Sequence, residues 1–315
     1  MKRIFILSFF LTYISIFIIK NPDLLNYTAL LLIKNINFNI EPVNGFIGYI
    51  SKLLSLYLGL NKIFLFYYIY ISLIQLFMFR GFLNIFNRNK RKSFLLLIIW
   101  NMCYGTMHGL IQIRFGLANA FIFYLFSIII GNNVSFFKRL YWASLAFSSH
   151  YSVLLEGWIG LFIGFLRRKL FTKKVIIFIG FVLILILMFS RYMIRLLPPF
   201  LYERLSGYLI SDSINSPSLI LISISLYVVL LVSLILKNNK NDVMKALGII
   251  SFIPYFSIPS LEIMIRIGIA FQYLLIPYLF LTFKKKNEVI LSTLPLALFF
   301  MYKIYSNINV FIGYL

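Results

Sequence analysis

Long apolar stretches separated by short basic clusters constrain this chain more than any other feature of its sequence. Of its 315 residues, 62% are hydrophobic and only 12% are charged. Several of the apolar stretches approach the roughly 20 residues that an α-helix needs to cross a hydrocarbon core. A soluble globular domain of this composition would leave large apolar surfaces in water, which excludes that class of protein. We therefore predict an all-α, polytopic integral membrane protein.

The basic clusters predict the topology of the chain. A net charge of +22 suggests nucleic acid as a partner of a soluble protein, but here the charge falls between apolar stretches, so no nucleic-acid partner is expected. Loops rich in Lys and Arg stay in the cytoplasm. If every cluster is cytoplasmic, the N-terminus is cytoplasmic, the C-terminus is outside, and the chain has about 11 transmembrane or re-entrant helices. The clusters occupy residues 2–3, 80–92, 138–139, 167–174, 237–245 and 284–286.

We predict one transmembrane domain over residues 1–315, with outer loops at about 20–62 and 190–216. The first loop contains NIEPVNGFIGYISKLL, which fits an amphipathic helix lying along the membrane interface. The segment between the basic clusters at 138–139 and 167–174 is short for two full spans. It predicts either two short helices or a re-entrant hairpin, and both place His150 near the tip.

Three ionisable residues, Arg114, His150 and Arg266, lie within apolar stretches near the outer ends of predicted hairpins. Such groups are costly in a membrane unless they are paired or hydrated, so they point to function. The arginine fork binds phosphate oxygens through two parallel bonds and keeps its charge, which suits a multiply charged anion. Anchoring to lipid headgroups is the alternative interpretation. The second outer loop adds three further arginines to this set: Arg191, Arg195 and Arg204.

Two residues are candidate proton acceptors. His150 stands among Ser148, Ser149 and Ser152, which can satisfy it as a structural histidine. As a functional group it would be a general base, because histidine titrates close to neutral pH. Glu41 is the second candidate, and its alternative interpretation is an ordinary outer-loop acid. The sequence has no Asp-x-Asp pair, no P-loop and no His/Cys/Asp cluster with metal-ligand spacing, so we expect neither a metal nor a cofactor.

Several motifs together resemble the EpsG family of bacterial membrane proteins, which are Wzy-type polymerases of exopolysaccharide and O-antigen repeat units. The main ones are IRFGLANAFIFYLFS, which contains Arg114, and FSSHYSVLL, which contains His150. PDLLNY is similar to an Asp-x-x-x-Tyr segment of the family through Asp23 and Tyr27, and IEPVNG is similar to its Glu-Pro segment. EIMIR followed by FQYLLIPYLF is similar to a late arginine-bearing span, which ends here at Arg266.

The resemblance implies a glycan repeat-unit polymerase at the outer face of the bacterial cytoplasmic membrane. Its donor would be an oligosaccharide linked to undecaprenyl diphosphate, held by the arginines with Asp23 and Tyr27. His150 or Glu41 would be the base. Besides membrane lipids, a flippase and a chain-length regulator are the implied partners. The alternatives are an O-antigen ligase, which usually has a larger outer loop with a histidine, and a flippase or transporter, which needs charged groups on both sides of a cavity.

Overall fold

The computed structural model describes residues 2–18, 27, 41–131, 134–163, 244, 247, 251, 268–283, 287–290, 293–294 and 297–298. All regular structure in these residues is helical, and no strand occurs among them. The all-α class is therefore confirmed for the described part of the chain. The chain divides into two compact units: Met1–Gly164 with Thr293–Leu315, and Phe165–Ser292. The prediction of a single transmembrane domain stays a prediction.

The described part of the first unit contains seven α-helices and three shorter helical segments next to them. A π-helical segment, Ile14–Ile18, extends the first helix, and a second one, Asn101–Gly109, extends the fourth. A single 3₁₀ turn, Tyr151–Val153, separates the last two. The α-helices are α1 (Lys2–Tyr13), α2 (Pro42–Leu58), α3 (Lys62–Ile85), α4 (Lys90–Trp100), α5 (Ile113–Gly131), α6 (Phe136–Ser149) and α7 (Leu154–Ile163).

Local sequence signals set the ends of these helices. Pro42 begins α2, and Gly59 ends it with a left-handed backbone (φ 65°) that glycine adopts without steric cost. The side chain of Asn61 accepts hydrogen bonds from the first backbone amides of α3, and Asn89 does the same for α4. The boundaries on either side of α3 therefore follow from local sequence.

Helices α3 and α5 form the centre of the first unit. Among the described residues, these two are long and apolar enough to cross a membrane. They pack through aromatic pairs, with ring centroids 5.0 Å apart for Phe82 and Phe123 and 4.7 Å apart for Phe77 and Phe121. The predicted total of about 11 helices stays a prediction. In the second unit, Gly268 (φ 88°) precedes two short helices, α8 (Ile269–Tyr273) and α9 (Leu275–Thr282).

A tight turn after the second π-helical segment brings the start of α5 against the backbone of His108. A Cβ atom added to Gly116 would lie 1.7 Å from the carbonyl oxygen of His108. Ser15 supports the same turn, because its hydroxyl donates to the carbonyl of Leu110 at 2.6 Å. π-Helical turns are frequent at functional sites. This turn places Arg114, the second residue of α5, at the tip of the hairpin.

We expect Gly116→Ala to destabilise the protein, because the added methyl group meets backbone rather than a movable side chain. Overpacking of this kind costs about 1–3 kcal/mol or more. The matched control is Gly157→Ala, whose added Cβ would make ordinary contacts of 3.5 Å with Ala143 and 3.9 Å with Ile122. Thermal unfolding of both variants in detergent measures the difference. Equal unfolding temperatures would contradict the close approach at Gly116.

Helices α6 and α7 form a hairpin with His150 at its tip, the position that the sequence predicts. At 14 residues, α6 spans about 21 Å, which is less than the roughly 30 Å of a hydrocarbon core. The buried side chain of Arg139 joins the two helices by donating to the carbonyl of Leu161 at 2.9 Å. Short spans and a re-entrant hairpin both fit these lengths, so both stay open.

Candidate functional site

The site is built around an ion pair between Glu41 and Arg114. Glu41 immediately precedes α2, and Arg114 lies 73 positions later at the start of α5. Arginine Nη1 donates to Glu41 Oε2 at 2.8 Å. The Glu41 side chain is 8% exposed, whereas Arg114 is 34% exposed. The pair therefore has a buried anionic end and a cationic end that reaches the protein surface.

Tyr27 provides a face on which the Arg114 guanidinium rests. The guanidinium carbon lies 5.4 Å from the centroid of the Tyr27 ring. Tyr27 itself is buried against Phe66 and Tyr67 of α3, with ring centroids 5.7 and 5.6 Å away. A cation over an aromatic ring gains about 0.5–2 kcal/mol, depending on how far it is removed from water. Tyr27 thus helps to hold the arginine in place.

Asn44 connects the ion pair to the α6–α7 hairpin. Its Nδ2 donates to Glu41 Oε2 and also to the backbone carbonyl of Ser149, the latter at 3.2 Å. The buried hydroxyl of Tyr70 in α3 bonds to Asn44 Oδ1. The residue that follows Ser149 is His150. One amide therefore contacts the start of α2, the middle of α3 and the end of α6.

His150 caps the 3₁₀ turn that follows it. Its Nδ1 accepts a hydrogen bond from the Ser152 amide at 3.3 Å, and the Ser152 hydroxyl lies 2.8 Å from the same nitrogen. An accepting Nδ1 carries a lone pair, so the neutral ring holds its proton on Nε2. The ring also packs against Phe115, with centroids 5.6 Å apart. Because Phe115 directly follows Arg114, the His150 ring packs against the residue next to the arginine.

The family to which this chain belongs follows from comparison with known protein families. The profile of the EpsG family matches residues 2–314, nearly the whole chain. The chain belongs to the EpsG family. Members of this family are Wzy-type polysaccharide polymerases. The match confirms the family resemblance that the sequence motifs indicated. It also confirms that the chain is an integral membrane protein of polysaccharide biosynthesis. No curated protein and no solved structure gives a significant match.

The EpsG structure brings together four of the residues that the sequence singles out. Arg114 contacts both Glu41 and Tyr27. His150 packs against Phe115 and follows Ser149, whose carbonyl accepts from Asn44. The remaining predicted residues lie outside the described part of the chain: Asp23, Arg191, Arg195, Arg204 and Arg266. Their part in the site stays a prediction.

The sequence did not predict two residues of the site, Asn44 and Tyr70. Asn44 stands three positions after Glu41, a spacing that places both on one side of a helix start, and this was the available signal. Tyr70 is one of 21 tyrosines in the chain, and its sequence position does not distinguish it. Among the described residues there is no group of three or more His, Cys, Asp or Glu side chains that could hold a metal ion.

The donors of Arg114 are only partly used. Its Nη1 bonds to Glu41, but its buried Nε meets no acceptor among the described residues. A buried donor without an acceptor is costly, but Nε is covered by the protein, so a ligand meets the exposed part of the guanidinium instead. The site therefore combines a fixed, partly exposed cation and a nearby imidazole, which together can bind an anionic group and move a proton.

Proposed function

We propose that this EpsG protein is a glycan repeat-unit polymerase that uses an oligosaccharide linked to undecaprenyl diphosphate as its donor. The observation that carries the proposal is the side chain of Arg114, which is 34% exposed and is held by Glu41 and Tyr27. Two phosphates of a lipid-linked donor suit such a fork, because guanidinium binds phosphate oxygens through paired bonds. Arg266, Arg191, Arg195 and Arg204 are proposed as further contacts to the same diphosphate, with Asp23 beside them.

The proposed reaction transfers one glycan from its lipid carrier to another repeat unit. A sugar hydroxyl of the acceptor attacks the anomeric carbon of the donor, and a new carbon–oxygen bond forms. The bond between that carbon and the diphosphate breaks, and the polyprenyl diphosphate leaves with the electron pair. Arg114 stabilises the charge that develops on this leaving group. The hydroxyl proton passes to a base of the protein.

The contacts favour His150 over Glu41 as that base. Glu41 Oε2 already accepts from Arg114 and Asn44, which suits it to holding the arginine. The lone pair on His150 Nδ1 faces the Ser152 hydroxyl at 2.8 Å. A proton from the acceptor sugar therefore reaches the ring through that hydroxyl, which gives up its own proton to Nδ1 as it takes the new one.

We propose that the reaction takes place at the outer face of the bacterial cytoplasmic membrane, with the N-terminus in the cytoplasm and the C-terminus outside. This orientation rests on the basic clusters of the sequence. A flippase that delivers the donor and a regulator of chain length are proposed as partners. No metal and no cofactor is needed, since arginine supplies the positive charge.

Deletion of this gene is expected to leave surface glycan made of single repeat units, because chain growth stops while delivery of repeats continues. Gel analysis of glycan length, combined with a test of which side of the membrane the repeats reach, measures this. A flippase would instead leave single repeats trapped inside. A ligase would leave long chains that are not attached to lipid A core. Long, attached chains in a strain without a second polymerase would contradict the proposal.

A further inference from the structure

We propose that Asn44 is a positioning residue that holds Glu41 and the turn at His150 in one geometry, and that Tyr70 fixes the Asn44 amide. The effect of Asn44 on catalysis rests on the proposed function above. Asn44 does not touch the reacting groups in this proposal. It acts through Glu41, whose carboxylate holds Arg114, and through the turn that carries His150, the proposed base.

The orientation of the Asn44 amide follows from the chemistry of its neighbours. Glu41 Oε2 and the Ser149 carbonyl are both acceptors, so the amide must present its nitrogen to them. Its oxygen then faces Tyr70, whose hydroxyl must donate. The flipped amide would place three oxygen acceptors against one another. The network therefore has one arrangement, in which both N–H groups and the oxygen of Asn44 are satisfied.

The Asn44 side-chain amide contacts two parts of the site that are far apart in sequence, Glu41 and Ser149. The backbone of Asn44 also donates to the Glu41 carbonyl at 3.0 Å, so Glu41 is held at both its main chain and its side chain. The bonded carbonyl of Ser149 belongs to the peptide that leads into His150. Loss of the Nδ2 group would release the carboxylate and the histidine turn together.

A purely structural role for Asn44 is the alternative, and the chain offers a matched control for it. Asn84 in α3 also donates from Nδ2 across a helix–helix contact, to the Ser127 hydroxyl of α5 at 3.1 Å. It is remote in sequence from Glu41 and His150. Asn44→Leu and Asn84→Leu therefore each remove an amide between helices, but only the first removes the link to the proposed site.

The experiment compares the wild-type protein with both variants, as full-length chains in lipid nanodiscs. Four quantities are measured: the unfolding temperature, the turnover and the KM with a lipid-diphosphate-linked repeat unit, and the hydrogen exchange of the amides at 150–153. In this segment the amides of His150, Ser152 and Val153 donate to Ala146, His150 Nδ1 and the His150 carbonyl. Their exchange reports on the histidine turn without any reference to activity.

We expect Asn44→Leu to lower turnover at least tenfold, to change KM less than threefold and to speed exchange at 150–153 at least tenfold. Asn84→Leu should shift the unfolding temperature similarly and leave turnover, KM and hydrogen exchange unchanged. Tyr70→Phe should lower turnover only about threefold, because the two acceptors still orient the amide. Equal losses of turnover in the two asparagine variants, or lost turnover with unchanged exchange, would overturn the inference. If wild-type protein makes no polymer, the proposed function fails, and exchange at 150–153 alone decides whether Asn44 holds the turn.

Discussion

Arg114→Lys is expected to abolish long glycan chains while the protein stays in the membrane at its normal level. Lysine keeps the positive charge and can still pair with Glu41, but it loses the planar fork and its second direction of donation. In the structure, Nη1 donates to Glu41 and the side chain stays 34% exposed to a ligand. A lysine ammonium above Tyr27 cannot pair with Glu41 and also present a second nitrogen to the ligand.

The loss is expected to be large, since hydrogen bonds to charged groups contribute about 1.5–3 kcal/mol each. If that contribution is made in the transition state, turnover falls roughly 10- to 150-fold, at about 1.36 kcal/mol for each factor of ten. The measurement is the length distribution of surface glycan in a deletion strain that expresses each variant. Arg91→Lys, at an exposed position near the start of α4, is the matched control and should restore full length. Full-length polymer from Arg114→Lys would show that a single charge suffices.

His150→Asn is expected to remove activity while preserving the local fold. Asparagine is a good N-cap residue, so its side-chain oxygen can accept the Ser152 amide in place of Nδ1. It cannot take up a proton at working pH. General acid–base catalysis contributes roughly 100- to 10,000-fold, and a loss within this range is the expected result. The rise of turnover with pH that a histidine base produces should also be absent.

His150→Ala separates the capping role from the chemical role. This variant removes both, so it should be as inactive as His150→Asn and less stable by about 1 kcal/mol, the usual contribution of a cap. Turnover against pH and thermal unfolding, measured on both variants, distinguish the two roles. If His150→Asn keeps wild-type turnover and an unchanged pH profile, His150 is a structural cap and Glu41 becomes the better candidate for the base.

The features that the sequence could predict are those set by local chemistry. Arg114 and His150 were expected at hairpin tips because apolar stretches and basic clusters fix the turns, and the structure places them there. The partner of Arg114 could not be predicted in this way. Glu41 lies 73 positions earlier and was expected to be a base or an ordinary loop acid. Only the folded structure, in which Glu41 at the start of α2 lies beside Arg114 at the start of α5, shows that it holds the arginine.

Asn44 and Tyr70 illustrate the same limit more sharply. Neither residue is ionisable at working pH, so neither carries the large cost that marks a charged group in a membrane. Their importance comes from three hydrogen bonds that exist only after α2, α3 and α6 are assembled. Tyr27 differs from them, because resemblance to a family motif pointed to it, although its place beneath the guanidinium appears only in the structure.

Reconstitution tests the polymerase proposal most directly. Purified full-length protein in liposomes would be given lipid-diphosphate-linked repeat units in the leaflet that corresponds to the outer face. The wild-type protein should produce a ladder of multiple repeats and release one polyprenyl diphosphate for each bond formed, and Arg114→Lys should do both at least tenfold more slowly. Movement of single repeat units to the other leaflet, without ladder formation or release of the carrier, would contradict a polymerase and identify a transporter.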